Sequence, residues 1–190
     1  MTKLKQDIEL LNSISQKYAM YPKDYEEIKG MCAKKLFSKS KNGSTYGMFF
    51  PCSEMNEHFI YKGQLVSEKA KYDNEYCFDV NDRLLATKFV REDIENNEYA
   101  FFFYGETYVD YIRVGFRDGL KGCGRYEKEN STLTRFIECQ CFYESGKINQ
   151  IEEYLFGVKR GCLIYNKYFT GILGMQDSVQ TDVLSRVFGV

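Results

Sequence analysis

A loose repeat of aromatic strand, polar turn and strand runs from about residue 59 to about residue 165. Three copies read Tyr61-Lys62-Gly63-Gln64-Leu65, Asp79-Val80-Asn81-Asp82-Arg83-Leu84 and Tyr143-Glu144-Ser145-Gly146-Lys147-Ile148. Each sets a turn residue before a long polar side chain and then an aliphatic one, which is the pattern of a β-hairpin tip. The turn sites at Gly63, Asp82, about Gly105 and Gly146 lie near 20 residues apart, or twice that. Two strands of ordinary length and two turns account for such a period. A chain patterned this way is constrained to antiparallel sheet over most of its length.

The flanks read differently. Leu4, Ile8, Leu11, Ser15 and Tyr18 recur at helical spacing, with Ile14 widening the apolar side and Lys5, Asp7, Glu9 and Gln16 opposite. This predicts a helix over 3–19. A second helix is expected over 23–37. Pro22 suits its first position, acids follow at 24, 26 and 27, and Lys34 and Lys35 stand near its end. Tyr25, Ile28, Cys32 and Leu36 would be its buried stripe, although Gly30 in the middle of a helix costs about 1 kcal/mol. Near Ser44 the period changes from helical to alternating. Single strands are expected at 45–50 and 162–169, and strand–turn–strand hairpins over 59–71, 76–90, 99–116 and 133–156. Asp177 and Gln180, followed by Val183 and Val187, suggest a C-terminal helix over 177–188. The expected fold is α+β in a single domain, 1–190. N-terminal helices (1–40) pack on a curved antiparallel β-meander (45–170), with the short C-terminal helix added.

Composition narrows the function classes. With 26 basic and 27 acidic residues the net charge is −1, whereas a protein that grips phosphate backbones is normally basic. Direct nucleic-acid binding is therefore not expected. No stretch approaches the roughly 20 apolar residues of a membrane span, and Met1-Thr2-Lys3-Leu4-Lys5 does not open a secretory leader. No membrane association is expected, and cytoplasm is the expected location. Seven cysteines, at 32, 52, 77, 123, 139, 141 and 162, are odd in number and form no Cys-x-x-Cys pair. They read as reduced, mostly buried thiols holding no metal.

Catalytic signatures are lacking. The chain has no P-loop, no Gly-x-Ser-x-Gly elbow and no His-Glu-x-x-His. His58, the single histidine, has no local signature of a Cys–His pair. Gly119, Gly122 and Gly124 lack dinucleotide-loop spacing and read as a glycine-rich connection between strands. Glu138 and Glu152 are the carboxylates an enzyme reading would have to use, with no motif behind them. No catalytic residue, cofactor or metal ligand is assigned, and the protein is not expected to be an enzyme.

Two features point to binding. Glu92, Asp93, Glu95 and Glu98 concentrate acid in one stretch, which is either a solvated loop or a patch facing a basic partner. The run Ala100-Phe101-Phe102-Phe103-Tyr104 is aromatic on both strand faces and so has to be covered on both. The neighbouring face around Tyr104, Tyr108 and Tyr111 is the other candidate partner surface.

The hairpin tips, best in Phe142-Tyr143-Glu144-Ser145-Gly146-Lys147-Ile148 and less well in Ile60-Tyr61-Lys62-Gly63-Gln64-Leu65, resemble the YD-type repeats of bacterial Rhs proteins. They also resemble the related repeats of toxin-neutralising proteins. The resemblance covers about half the chain; Asn81-Asp82 departs from the usual glycine, and residues 105–125 fit poorly. It implies a curved antiparallel sheet used for binding, in the setting of toxin–immunity pairs. The leading expectation is a protein-binding inhibitor, such as an immunity protein or a phage-type inhibitor of host defence. It would occlude the active site or nucleic-acid groove of a protein target such as a basic nuclease or other nucleic-acid-handling enzyme. The alternative is a β-barrel or curved sheet that holds a small apolar or aromatic ligand.

Overall fold

The computed structural model describes residues 3–18, 25–39, 49, 64–90, 97–115, 119–130, 132–141, 147–159 and 162–171. Two helices form, α1 (Lys3–Tyr18) and α2 (Tyr25–Gly30). The strands are β1 (Lys34–Lys39), β2 (Gln64–Val66), β3 (Asn74–Phe78), β4 (Leu84–Phe89) and β5 (Glu98–Tyr104), followed by β6 (Tyr108–Val114), β7 (Leu120–Glu129), β8 (Thr132–Cys141), β9 (Ile148–Lys159) and β10 (Cys162–Gly171). The expected α+β architecture, with an N-terminal helical part packed on a meander, is overturned: the protein is mostly antiparallel sheet with two small helices. The main departure is at residues 31–39. Helix α2 stops at Gly30, and Lys34–Lys39 forms a strand that pairs with β2 on one side and β3 on the other. Backbone pairing on both sides outweighs the modest helical preference of Lys-Lys-Leu-Phe. The expected strand at 45–50, apart from Phe49 in a turn, the tip at Tyr143–Gly146 and the helix at 177–188 lie outside the described residues.

The chain divides into two compact units. One comprises Met20–Phe103 and Arg113–Gly119, the other Met1–Ala19, Tyr104–Ile112 and Leu120–Val190. In the first unit the strand order is β5-β4-β3-β1-β2. This is not a simple meander, because β1 lies between β2 and β3. The β3–β4 hairpin turns through Asp82, whose φ is 57°. Asp79 accepts the amides of Asn81 and Arg83 at 2.8 and 2.9 Å, an Asx-type turn that stands in for the usual glycine. Cys77 faces the end of α2 and is joined to Cys32 with Cα atoms 5.4 Å apart, a span a disulfide readily bridges. This corrects the expectation that all seven cysteines are free thiols.

In the second unit the order is β10-β9-β8-β7-β6, and the register defines two faces. Cys123, Arg125 and Glu127 on β7 share one face with Arg135, Ile137 and Cys139 on β8 and with Ile151 and Glu153 on β9. α1 lies against β7 and β8 and buries Asp7, Leu11, Ile14 and Tyr18. The buried stripe is thus rotated from the sequence reading, which put Asp7 on the solvent side. Asp7 turns inward because Arg135 donates to it at 2.6 Å. The same guanidinium reaches Glu153 at 2.6 Å and Glu127 at 3.2 Å, and Lys3 also bonds Glu153.

The opposite face carries a row of rings. Tyr126 stacks on Phe136 with centroids 4.4 Å apart, and Phe136 on Tyr154 at 5.3 Å. Tyr111 joins the row 5.7 Å from Tyr126. Gly122 and Gly124, expected in a connection, sit inside strand β7. Their place is explained by what a side chain would meet: a Cβ on Gly124 would stand 2.5 Å from both the Ile137 carbonyl oxygen and the Tyr111 ring. Gly124→Ala is therefore expected to cost about 2–3 kcal/mol, since neither backbone nor buried ring yields easily. Urea unfolding would check this, and a loss below about 0.5 kcal/mol would show that the ring has room.

Candidate partner-binding surface

The turn joining β5 to β6 builds the best-defined exposed group of aromatic and cationic side chains. It closes with the Gly105 amide donating to the Tyr108 carbonyl at 2.9 Å. Tyr108 folds its ring back over this glycine: a Cβ there would lie 2.5 Å from the ring. On the ring sits the Arg125 guanidinium, 4.0 Å from its centroid, a close cation–π contact. Arg125 is fixed from behind by Asp110, which accepts from Nε at 2.6 Å and from Nη2 at 3.0 Å. Asp110 is 0% exposed and also accepts the Tyr18 hydroxyl at 3.2 Å. Burial opposes the charge on Arg125, but the hydrogen bonds and charge of Asp110 outweigh it and raise its pKa. Tyr18 is raised too, chiefly by burial, so it stays a phenol donor.

The result is a chain of support running Tyr18, Asp110, Arg125, Tyr108, Gly105. Its outer end is open to solvent: the Arg125 side chain is 21% exposed and Tyr104 is 38% exposed. Two side chains of the types that dominate binding interfaces are held in fixed conformations before any partner arrives. Sequence reasoning reached Tyr104 and Tyr108 but missed Arg125 and Asp110. Their signal was the alternation of a lone acid in Val109-Asp110-Tyr111 with a lone base in Gly124-Arg125-Tyr126, which becomes visible only once strand neighbours are known.

The other expected site residues fall elsewhere. Tyr111 is 0% exposed and donates its hydroxyl to Glu138 at 2.5 Å, so it supports the ring row and presents nothing outward. Glu98 is buried on β5 and faces Arg113 at 3.4 Å, so it is part of an interior ion pair. Glu92, Asp93 and Glu95 lie outside the described residues. Glu138 and Glu152 are register partners on β8 and β9. Glu152 accepts from Tyr154 at 2.8 Å and from Gln150 at 2.7 Å, so phenol and amide donors engage these carboxylates.

Cys123, Cys139 and Cys141 cluster, with sulfur separations of 3.5 and 3.9 Å. The thiol of Cys139 is pushed well up by its bond with Cys123, and that of Cys141 by its bond with Cys139, with burial adding to both. Neither is a thiolate nucleophile at neutral pH. Among the described residues no group of three or more side chains could hold a metal ion, and no helix is long and apolar enough to cross a membrane. No protein-family model matches the chain, and no curated protein or solved structure matches it either.

Proposed function

We propose that the protein is a cytoplasmic binding protein that inhibits an enzyme by covering its active site or nucleic-acid groove. It acts in the manner of an immunity protein against a bacterial toxin or a phage-type inhibitor of host defence. The observation that carries this reading is the Tyr104–Tyr108–Arg125 surface, in which a buried carboxylate holds Arg125 against Tyr108. Preorganised Tyr and Arg side chains lose little conformational freedom on docking and so make strong anchors. The hairpin tips that resemble repeats of toxin-neutralising proteins point the same way. The target is a protein, and a basic nuclease or related enzyme suits the acidic stretch from Glu92 to Glu95.

The test begins with capture of the partner from the native host, identified by mass spectrometry. Affinity and inhibition are then compared for wild type, Tyr104→Ala and Tyr108→Ala. Tyr108→Ala is expected to weaken binding by about 2 kcal/mol, roughly thirtyfold, in line with an interface anchor. Tyr104→Ala is expected to weaken it by about tenfold. Unchanged affinity in both variants, with folding intact by circular dichroism, would place the interface elsewhere.

A further inference from the structure

In the unit formed by residues 20–103 and 113–119, one sheet face holds a buried polar group that no other described element uses. Ser38 on β1, Asn74 and Tyr76 on β3, and Thr87 on β4 share this face by register and are at most 1% exposed. Part of the group is internally satisfied. The Ser38 and Tyr76 hydroxyls bond at 2.8 Å, and Asn74 Nδ2 donates to Ser38 at 3.3 Å. Two atoms are left over: Asn74 Oδ1 and Thr87 Oγ1 are buried without a hydrogen-bond partner.

Such orphans are costly, about 1–3 kcal/mol each, and native proteins rarely keep them. Here they are neighbours. Thr87 stands opposite Tyr76, and Asn74 opposite Phe89, so the two lie on a cross-strand diagonal. Diagonal positions are about 7–8 Å apart at the backbone, within reach of one group bonded to both side chains. On its other side Thr87 faces Ala100, the smallest side chain that could stand there without being glycine. The surroundings are otherwise aromatic: Phe89 is buried, and Phe49 rests edge-on against Tyr76 at 4.9 Å. The chemistry of the pair specifies the occupant. An amide oxygen only accepts, and a threonine hydroxyl both donates and accepts. A single O–H group answers both.

We infer that Asn74 and Thr87 form a binding site for one hydroxyl group, supplied either by an ordered water or by a small hydroxylated ligand. Buried waters serve in this way in most folded proteins, and a few fixed polar atoms among aromatic side chains are also how small-molecule sites are built.

The sign of one substitution tests the proposal. Thr87→Val keeps the shape and removes the hydroxyl. If the occupant is bound, its bond is broken and the folding equilibrium constant falls by about fivefold or more in urea titrations. If Thr87 has no occupant, removing an unsatisfied hydroxyl raises the unfolding midpoint, and the proposal is overturned. Asn74→Ala is combined with Thr87→Val in a double-mutant cycle. A shared occupant makes the double variant less destabilised than the two singles added, and strict additivity overturns the idea. A crystal structure of the wild type is independent of variant folding: density for one oxygen between the two side chains marks water, larger density marks a ligand, and none overturns the site. Native mass spectrometry separates the two sources, since only a ligand adds mass that solvent extraction removes.

Discussion

Replacing Arg135 by methionine is expected to lower the stability of the protein by about 3 kcal/mol or more. Arg135 answers three carboxylates, those of Asp7, Glu127 and Glu153. Asp7 and Glu153 are buried, so losing the guanidinium leaves charge with little water to take over. The loss is larger than for a surface ion pair because desolvation has already been borne by the folded state. Arg135→Lys should recover only part of it, since an ammonium cannot reproduce the fork that serves separate acceptors. Lys34→Ala provides the contrast. Lys34 pairs with Asp82 at 2.9 Å, but both side chains are more than half exposed, and the change should stay within about 0.5 kcal/mol. Urea unfolding of all three variants measures the ordering. Equal costs for Arg135→Met and Lys34→Ala would show that the Arg135 cluster is solvated and does not hold α1 to the sheet.

The second large effect is expected at Asp110. Asp110→Ala removes the carboxylate that clamps the Arg125 guanidinium and accepts the Tyr18 hydroxyl, and should cost about 3–5 kcal/mol. Its signature differs from that of Arg135→Met. With Arg125 unclamped, its stack on Tyr108 loosens, so the tyrosine environment should change in near-ultraviolet circular dichroism even where the variant remains folded. Asp110→Asn keeps the volume and one acceptor, and should fall between wild type and Asp110→Ala. A variant of native stability with an unchanged tyrosine spectrum would mean that Arg125 holds its position without Asp110. The partner-binding reading would then lose its preorganised anchor.

Alternation of side chains made the later hairpins legible. The turns after Phe78 and Tyr104 and the strand beginning at Cys162 follow from period and turn residues alone. The segment from Lys34 to Lys39 was hidden because its apolar residues fit a helix continuing from Ile28. What decides between the two is pairing with Asn74–Phe78, some forty residues away, which no local pattern contains. β7 was hidden for another reason. Glycines at 122 and 124 lower strand propensity, and their use appears only when the Cys139 carbonyl comes close to Gly122, and the Ile137 carbonyl and Tyr111 ring close to Gly124. Of the proposed binding surface, the tyrosines could be named from the sequence. The Asp110–Arg125 clamp could not, because a buried charge is recognised by its partner across the strands. Glu98 shows the converse error: it read as part of an acidic surface patch and is half of an interior pair with Arg113.

The order in which the chain is made bears on how it folds. α1 leaves the ribosome before the strands it packs on, so Asp7 waits 128 residues for Arg135, and Lys3 waits 150 for Glu153. At about 5–20 residues per second that delay is on the order of ten seconds, against microseconds for a hairpin to close. The stretch Met20–Phe103 is nearly continuous and can organise in the interval. A 16-residue helix is marginal by itself in water, so Leu11, Ile14 and Tyr18 spend those seconds unsheltered. The nascent chain is then most exposed to aggregation and to chaperone capture at α1. Slowing elongation beyond residue 103 should lengthen that exposure, whereas mutations confined to α1 should alter the yield of folded protein more than they alter its final stability.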